Sequence, residues 1–87
     1  MKLLIALGLF AVSAPAFAEP GVITVGPDNA LWFTEPAEGA IGRITTTSPT
    51  AYSTFQPDLP IKPNGITQGP DGALWFTDGY GLIWRLH

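Results

Sequence analysis

The chain has 87 residues, 46% of them hydrophobic and 13% charged, with a formal net charge of −3 and no cysteine. So few cations argue against nucleic acid or an anionic membrane as a partner. The missing cysteines exclude the disulfide frame that small exported domains commonly use.

The N-terminus reads as a targeting segment. Met1-Lys2 gives a short positive start, Leu3 to Val12 is an unbroken apolar run, and Ala16-Phe17-Ala18 has the small-x-small pattern of a signal-peptidase site. The run falls well short of the roughly 20 residues that span a bilayer, and Pro15 interrupts it. Residues 1–18 are therefore expected to be a cleaved signal peptide. Cleavage would export the chain to a bacterial periplasm or medium and leave no membrane association. The remaining 69 residues set Arg43, Lys62 and Arg85 against seven acids, for a net charge of −4.

Residues 23–35, ITVGPDNALWFTE, return at 66–78 as ITQGPDGALWFTD, with ten of 13 positions identical at a displacement of 43. A period of that length means one supersecondary unit used repeatedly, and such a unit needs neighbours to cover its apolar faces. The repeats are placed at about 21–63 and 64–87. Val22 to Val25 predicts a short strand. Gly26-Pro27-Asp28-Asn29 predicts a turn, with Pro27 presetting φ and Asp28 free to bond its own backbone. Asn29 in one copy faces Gly72 in the other, which predicts φ > 0 at both.

Ala30 to Glu35 follows as a second strand, Ala40 to Ile44 as a third and Thr50 to Phe55 as a fourth. A proline-rich connector at 57–63 leads into the next copy, which supplies three strands and ends at Leu86-His87. In the second strand both faces are largely apolar, so each expects cover. Sheets stacked face to face around an axis provide it. The fold expected is all-β: a partial β-propeller of two antiparallel blades, four strands then three.

These residues resemble a known family. The phrase GITxGPDGxLWFTE, then a loop, then IGRIT, is similar to the repeat of the virginiamycin B lyase (streptogramin lyase) propellers. Val22 to Glu35 with Ile41 to Thr45 carries it once. Gly65 to Asp78 with Ile83-Trp84-Arg85-Leu86 carries it again, one residue shorter. The resemblance implies a magnesium-dependent lyase that opens the ester of a cyclic depsipeptide antibiotic by elimination. A histidine acts there as acid/base, and acidic groups with a metal ion polarise the carbonyl beside the abstracted proton. The position matching a family histidine, just before a repeat's Gly-Ile, holds Asn64 here. Glu35 and Asp78 match the acid that closes the Trp-Phe-Thr strand.

Glu35, Asp78 and Asn64 are thus the candidate ligand or metal contacts, and no catalytic residue is assigned. Trp32, Trp75, Phe33 and Phe76 are expected in the structural core. Asp28 and Asp71 are expected to form turns, and Arg43 and Arg85 to bond backbone or acid on neighbouring strands. His87, the sole histidine, is expected to be a frayed terminus. Three functions stay open. One is a truncated fragment of a lyase propeller. Another is a binding module that completes a ring by self-association. The last is an inactive gene remnant.

Overall fold

The computed structural model describes the backbone of residues 3–6 and 9–12, and residues 19–86 in full. The expected cleavage site at Ala18 and the terminal His87 lie outside the described residues. Strands β1 (Leu3–Ala6) and β2 (Leu9–Val12) pair antiparallel, Leu3 opposite Val12 and Ala6 opposite Leu9. Among the described residues no helix is long and apolar enough to cross a membrane.

The first repeat folds as a four-stranded antiparallel sheet in chain order: β3 (Ile23–Val25), β4 (Leu31–Glu35), β5 (Ala40–Ile44) and β6 (Tyr52–Phe55). The second repeat gives a three-stranded sheet: β7 (Pro63–Gln68), β8 (Leu74–Asp78) and β9 (Ile83–Leu86). Trp32 pairs with Thr24 and Arg43, and Trp75 with Thr67 and Arg85, so the two sheets share one register. The β3–β4 and β7–β8 turns have φ of 65° at Asn29 and 81° at Gly72, as the Asn/Gly exchange predicts. Strand β6 starts at Tyr52 instead of Thr50. Here Thr45 spends its amide on the Ala51 carbonyl and its hydroxyl oxygen on the Ala51 amide, closing the β5–β6 turn.

Strand β7 lies against β3 and β4, which sets the second sheet on the first. The core sits in that joint: Ile41, Ile61, Ile66, Leu74 and Phe76 are buried together, with Trp32, Trp84 and Leu86 packed against them. Phe33 and Phe76 are buried as expected. Trp32 and Trp75 are only half-buried, because each indole N–H turns toward an exposed carboxylate at a sheet end.

Candidate functional site

Glu35, Asp78 and Asn64 gather at one end of the two sheets. Glu35 is the last residue of β4 and Asp78 of β8, while Asn64 stands beside Pro63, which pairs with Asp78. Pro36 from the first sheet and Lys62, Pro63, Asn64 and Gly79 from the second line one shallow pocket, so these strand ends adjoin. Next to it, the connector and the β4–β5 and β8–β9 loops enclose an open cleft of about 650 Å³. Its polar lining includes Glu38, Gln56, Asp58, Lys62 and Tyr80. Gln56 ties the connector to the β4–β5 loop by donating to the Glu38 carbonyl at 2.9 Å. Gly39 makes the close passage feasible: it has φ of 62°, and a Cβ there would stand 3.0 Å from the Ile61 carbonyl.

The two strand-end acids do not face that cleft as free groups. Glu35 is 1% exposed and accepts a short hydrogen bond from the Tyr52 hydroxyl. The same bond pushes the Tyr52 phenol above its ordinary range, after the larger effect of its own burial. Asp78 is 7% exposed. Its Oδ1 accepts from the Tyr80 amide at 2.8 Å and the Lys62 amide at 3.4 Å, and its Oδ2 from the Trp84 indole at 2.9 Å. Burial raises the Asp78 pKa, but these three donors outweigh it and hold the carboxyl below its ordinary value. Asn64 is exposed and neutral, with no proton to exchange near pH 7.

A magnesium ion asks for several oxygen ligands in octahedral array, usually carboxylates with room for water. Glu35 and Asp78 do not fit it. Glu35 Oε1 is taken by the Tyr52 hydroxyl, and both Asp78 oxygens by the Tyr80 and Lys62 amides and the Trp84 indole. No group of three metal-ligating side chains occurs among the described residues.

The opposite end of each sheet holds a cluster that the sequence reading resolved only in parts. Asp28 Oδ1 accepts from the Ala30 amide at 3.2 Å and the Trp32 indole at 2.9 Å, and Oδ2 from Arg43 Nε at 2.7 Å. The Arg43 guanidinium lies 5.8 Å over the Trp32 ring. Asp71, Ala73, Trp75 and Arg85 repeat the arrangement at 3.1, 3.0 and 2.9 Å, with the cation 6.0 Å over the ring. Burial pushes Asp28 upward, yet bonds from Trp32, Arg43 and Ala30 bring it down to about 2. Asp71 is held well below the carboxylate range, first by the Trp75 indole and then by Arg85. The Asp-x-x-x-Trp spacing, present in both copies, was the available signal. These clusters fasten a turn to a strand and offer no free acid or base.

The GPD turn, the tryptophan folded over it and the arginine across the sheet thus form one repeated unit, matched over residues 7–81 by the model of the virginiamycin B lyase family. The chain belongs to that family. Solved structures agree. Selenomethionine-substituted virginiamycin B lyase from Staphylococcus aureus is 37% identical with a TM-score of 0.72, over 91% of this chain and 31% of that one. A streptogramin B lyase structure is 38% identical with a TM-score of 0.72, over 94% and 31%. A catalytically inactive histidine-to-alanine variant of the S. aureus virginiamycin B lyase, with quinupristin, is 35% identical with a TM-score of 0.73, over 95% and 32%. No curated protein matches the chain. The chain spans about a third of the length of each of these lyases. Its two sheets are blades of a partial propeller of the virginiamycin B lyase family.

Proposed function

We propose that these two blades are wall blades of an exported, antibiotic-lyase type propeller, and that by themselves they supply scaffold without the acid–base machinery. The observation that carries this reading is the fate of the strand-end acids. Glu35 is buried with its Oε1 bonded by the Tyr52 hydroxyl, and both Asp78 oxygens are bonded by the Tyr80 and Lys62 amides and the Trp84 indole, so neither acid is presented to the cleft as an open ligand. Position 64, where the family resemblance calls for a histidine, holds an exposed asparagine. Magnesium and the proton-abstracting base of the family reaction would then come from blades outside this sequence. Export rests on the apolar run and the Ala-x-Ala site of residues 3–18.

The test uses the purified 87-residue chain, incubated with quinupristin and magnesium. Elimination opens the depsipeptide ring without adding water. Its product is an isomer, seen as a chromatographic shift at unchanged mass. The expected result is no such product above the protein-free control. Magnesium-dependent ring opening that disappears in Glu35→Gln overturns the reading.

A further inference from the structure

Three residues of the second repeat bring a side-chain amide or carboxyl directly before a glycine: Asn64-Gly65, Asp71-Gly72 and Asp78-Gly79. Such a pair is chemically reactive. The glycine nitrogen has no Cβ beside it and can attack the side-chain carbonyl carbon of the preceding residue. The fold holds two of the pairs fast. Asp71 accepts from the Trp75 indole and the Ala73 amide on Oδ1 and from Arg85 on Oδ2, while the Gly72 amide donates to the Gly69 carbonyl. Both Asp78 oxygens are bonded as well, and the Gly79 amide donates to the Lys62 carbonyl at 3.0 Å.

Asn64-Gly65 is built differently. Pro63 pairs with Asp78 and Ile66 with Phe76, so Asn64 and Gly65 together oppose Thr77 and form a β-bulge. The Gly65 amide donates to the Thr77 hydroxyl oxygen at 3.0 Å, and that hydroxyl lies 3.5 Å from the Gly65 carbonyl. Asn64 is exposed, and among the described residues no hydrogen bond holds its side chain. The first blade has the same hydroxyl contact, from the Val22 amide to Thr34 at 3.0 Å, but Gly21 stands there in place of the asparagine.

We propose that Asn64 is a site of spontaneous deamidation, restrained by the Thr77 hydroxyl, that turns a neutral strand end into an acidic one. The Gly65 nitrogen loses its proton to solvent and bonds Asn64 Cγ. The Cγ–Nδ2 bond breaks, and Nδ2 takes up a proton and leaves as ammonia. Water then opens the succinimide at either carbonyl, giving aspartate or isoaspartate. Thr77 accepts from the very N–H that must be lost, which slows the first step. The extra main-chain carbon of isoaspartate falls where the strand register is already broken. The new carboxylate lines the shallow pocket with Lys62 and Gly79, at the end where Glu35 and Asp78 are already bonded.

The test holds the purified 87-residue chain at physiological temperature in mildly alkaline buffer, beside a urea-denatured sample, and follows both by peptide mass spectrometry. Trypsin cutting at Arg43 and Arg85 separates Asn64 from Asn29, the other asparagine, which precedes Ala30. Exchange of the amide for a hydroxyl is resolved by mass, and electron-transfer fragmentation distinguishes isoaspartate from aspartate. In the folded chain Asn64 should convert while Asn29 stays intact, with no isoaspartate at Asp71 or Asp78. Thr77→Val should quicken the conversion about fivefold, the factor that one hydrogen bond of ordinary strength carries. Gly65→Ala should slow it to the level of Asn29. A Cβ at position 65 meets Thr77 Oγ1 at 3.4 Å, an ordinary contact, so that variant keeps the fold. A folded chain whose Asn64 stays intact while the denatured chain converts overturns the proposal, as does Thr77→Val at the wild-type rate. If Thr77→Val loses its tryptophan near-ultraviolet dichroism, Thr77→Ala replaces it, and Gly65→Ala converting at the wild-type rate overturns the proposal in either case. None of these readouts depends on antibiotic turnover.

Discussion

Trp84 donates its indole N–H to Asp78 from the position that Gly42 occupies in the first blade. Both residues stand opposite the repeat phenylalanine, Trp84 against Phe76 and Gly42 against Phe33. In the first blade the glycine leaves room. A Cβ on Gly42 would come within 2.4 Å of the Phe33 ring, and Tyr52 arrives from the fourth strand to bond Glu35. In the second blade the third strand brings its own aromatic donor, stacked on Phe76 at 6.2 Å. The same buried acid is satisfied from different strands in the two blades. The three-stranded blade thereby closes its acid without a fourth strand.

Removing the donor should therefore cost stability in either blade. Tyr52→Phe keeps the ring against Phe33 and deletes only the hydroxyl that bonds Glu35. Leaving a buried acceptor without its partner costs about 1–3 kcal/mol. At roughly 4–8 °C per kcal/mol for a domain of this size, the thermal midpoint should drop measurably. Trp84→Phe should shift the midpoint in the same direction. An unchanged midpoint in both variants would show that water already satisfies these acids.

The glycine that opens each GPD turn is required by the tryptophan six residues on, whose indole folds back over it. A Cβ on Gly26 would lie 2.1 Å from the Trp32 indole, and one on Gly69 2.4 Å from that of Trp75. Gly26→Ala should push the indole off Asp28 and open the Arg43 stack, costing about 1–3 kcal/mol as an overpacked site. Denaturant unfolding measures the loss, and a changed tryptophan emission spectrum locates it. Gly72 has open space around it but a φ of 81°, so Gly72→Ala should destabilise through backbone strain and leave the tryptophan spectrum unchanged.

The period of 43 residues and the doubly apolar second strand made the two-sheet architecture legible in the sequence, and the Asn29/Gly72 exchange made the turn conformation legible. The end of each strand was harder to read. Nothing local to Glu35 announces Tyr52, which lies 17 residues on and arrives only through the β5–β6 register. The joint buries Leu74 and Phe76, Phe33 packs against Tyr52 and Gly42, and the exposed large apolar residues include Ile23, Val25 and Ile83. Which face of a doubly apolar strand meets its neighbour depends on how the sheets stack, and the alternation along one strand does not specify that.

The N-terminal reading makes a separate prediction. Expressed with its own first 18 residues in a bacterial host, the chain should be recovered outside the cytoplasm with Glu19 as its first residue. Terminal sequencing by mass spectrometry checks it. Product that keeps Met1 and stays in the cytoplasm contradicts a cleaved leader.

Acid should loosen the turn clusters in a defined window. The Asp28 carboxyl titrates at about 2 in the fold, against 3.8 for an ordinary aspartate. Burial alone would raise it, so the depression comes from the Trp32, Arg43 and Ala30 donors that prefer the charged form. A carboxyl whose folded pKa is lowered contributes stability above its unfolded pKa and loses it as pH falls through the folded one. The contribution of Asp28 should thus be complete above about pH 4–5 and fade between about pH 4 and 2. Its side chain is 39% exposed and that of Arg43 32%, so solvent screening limits the pair to about 1 kcal/mol or less. Asp28→Asn should melt below wild type at neutral pH, and the gap should close as the solution is taken to pH 2. Melts recorded across that range decide it: a gap that stays constant with pH would mean that the charge on Asp28 contributes nothing to holding Trp32 and Arg43 in place.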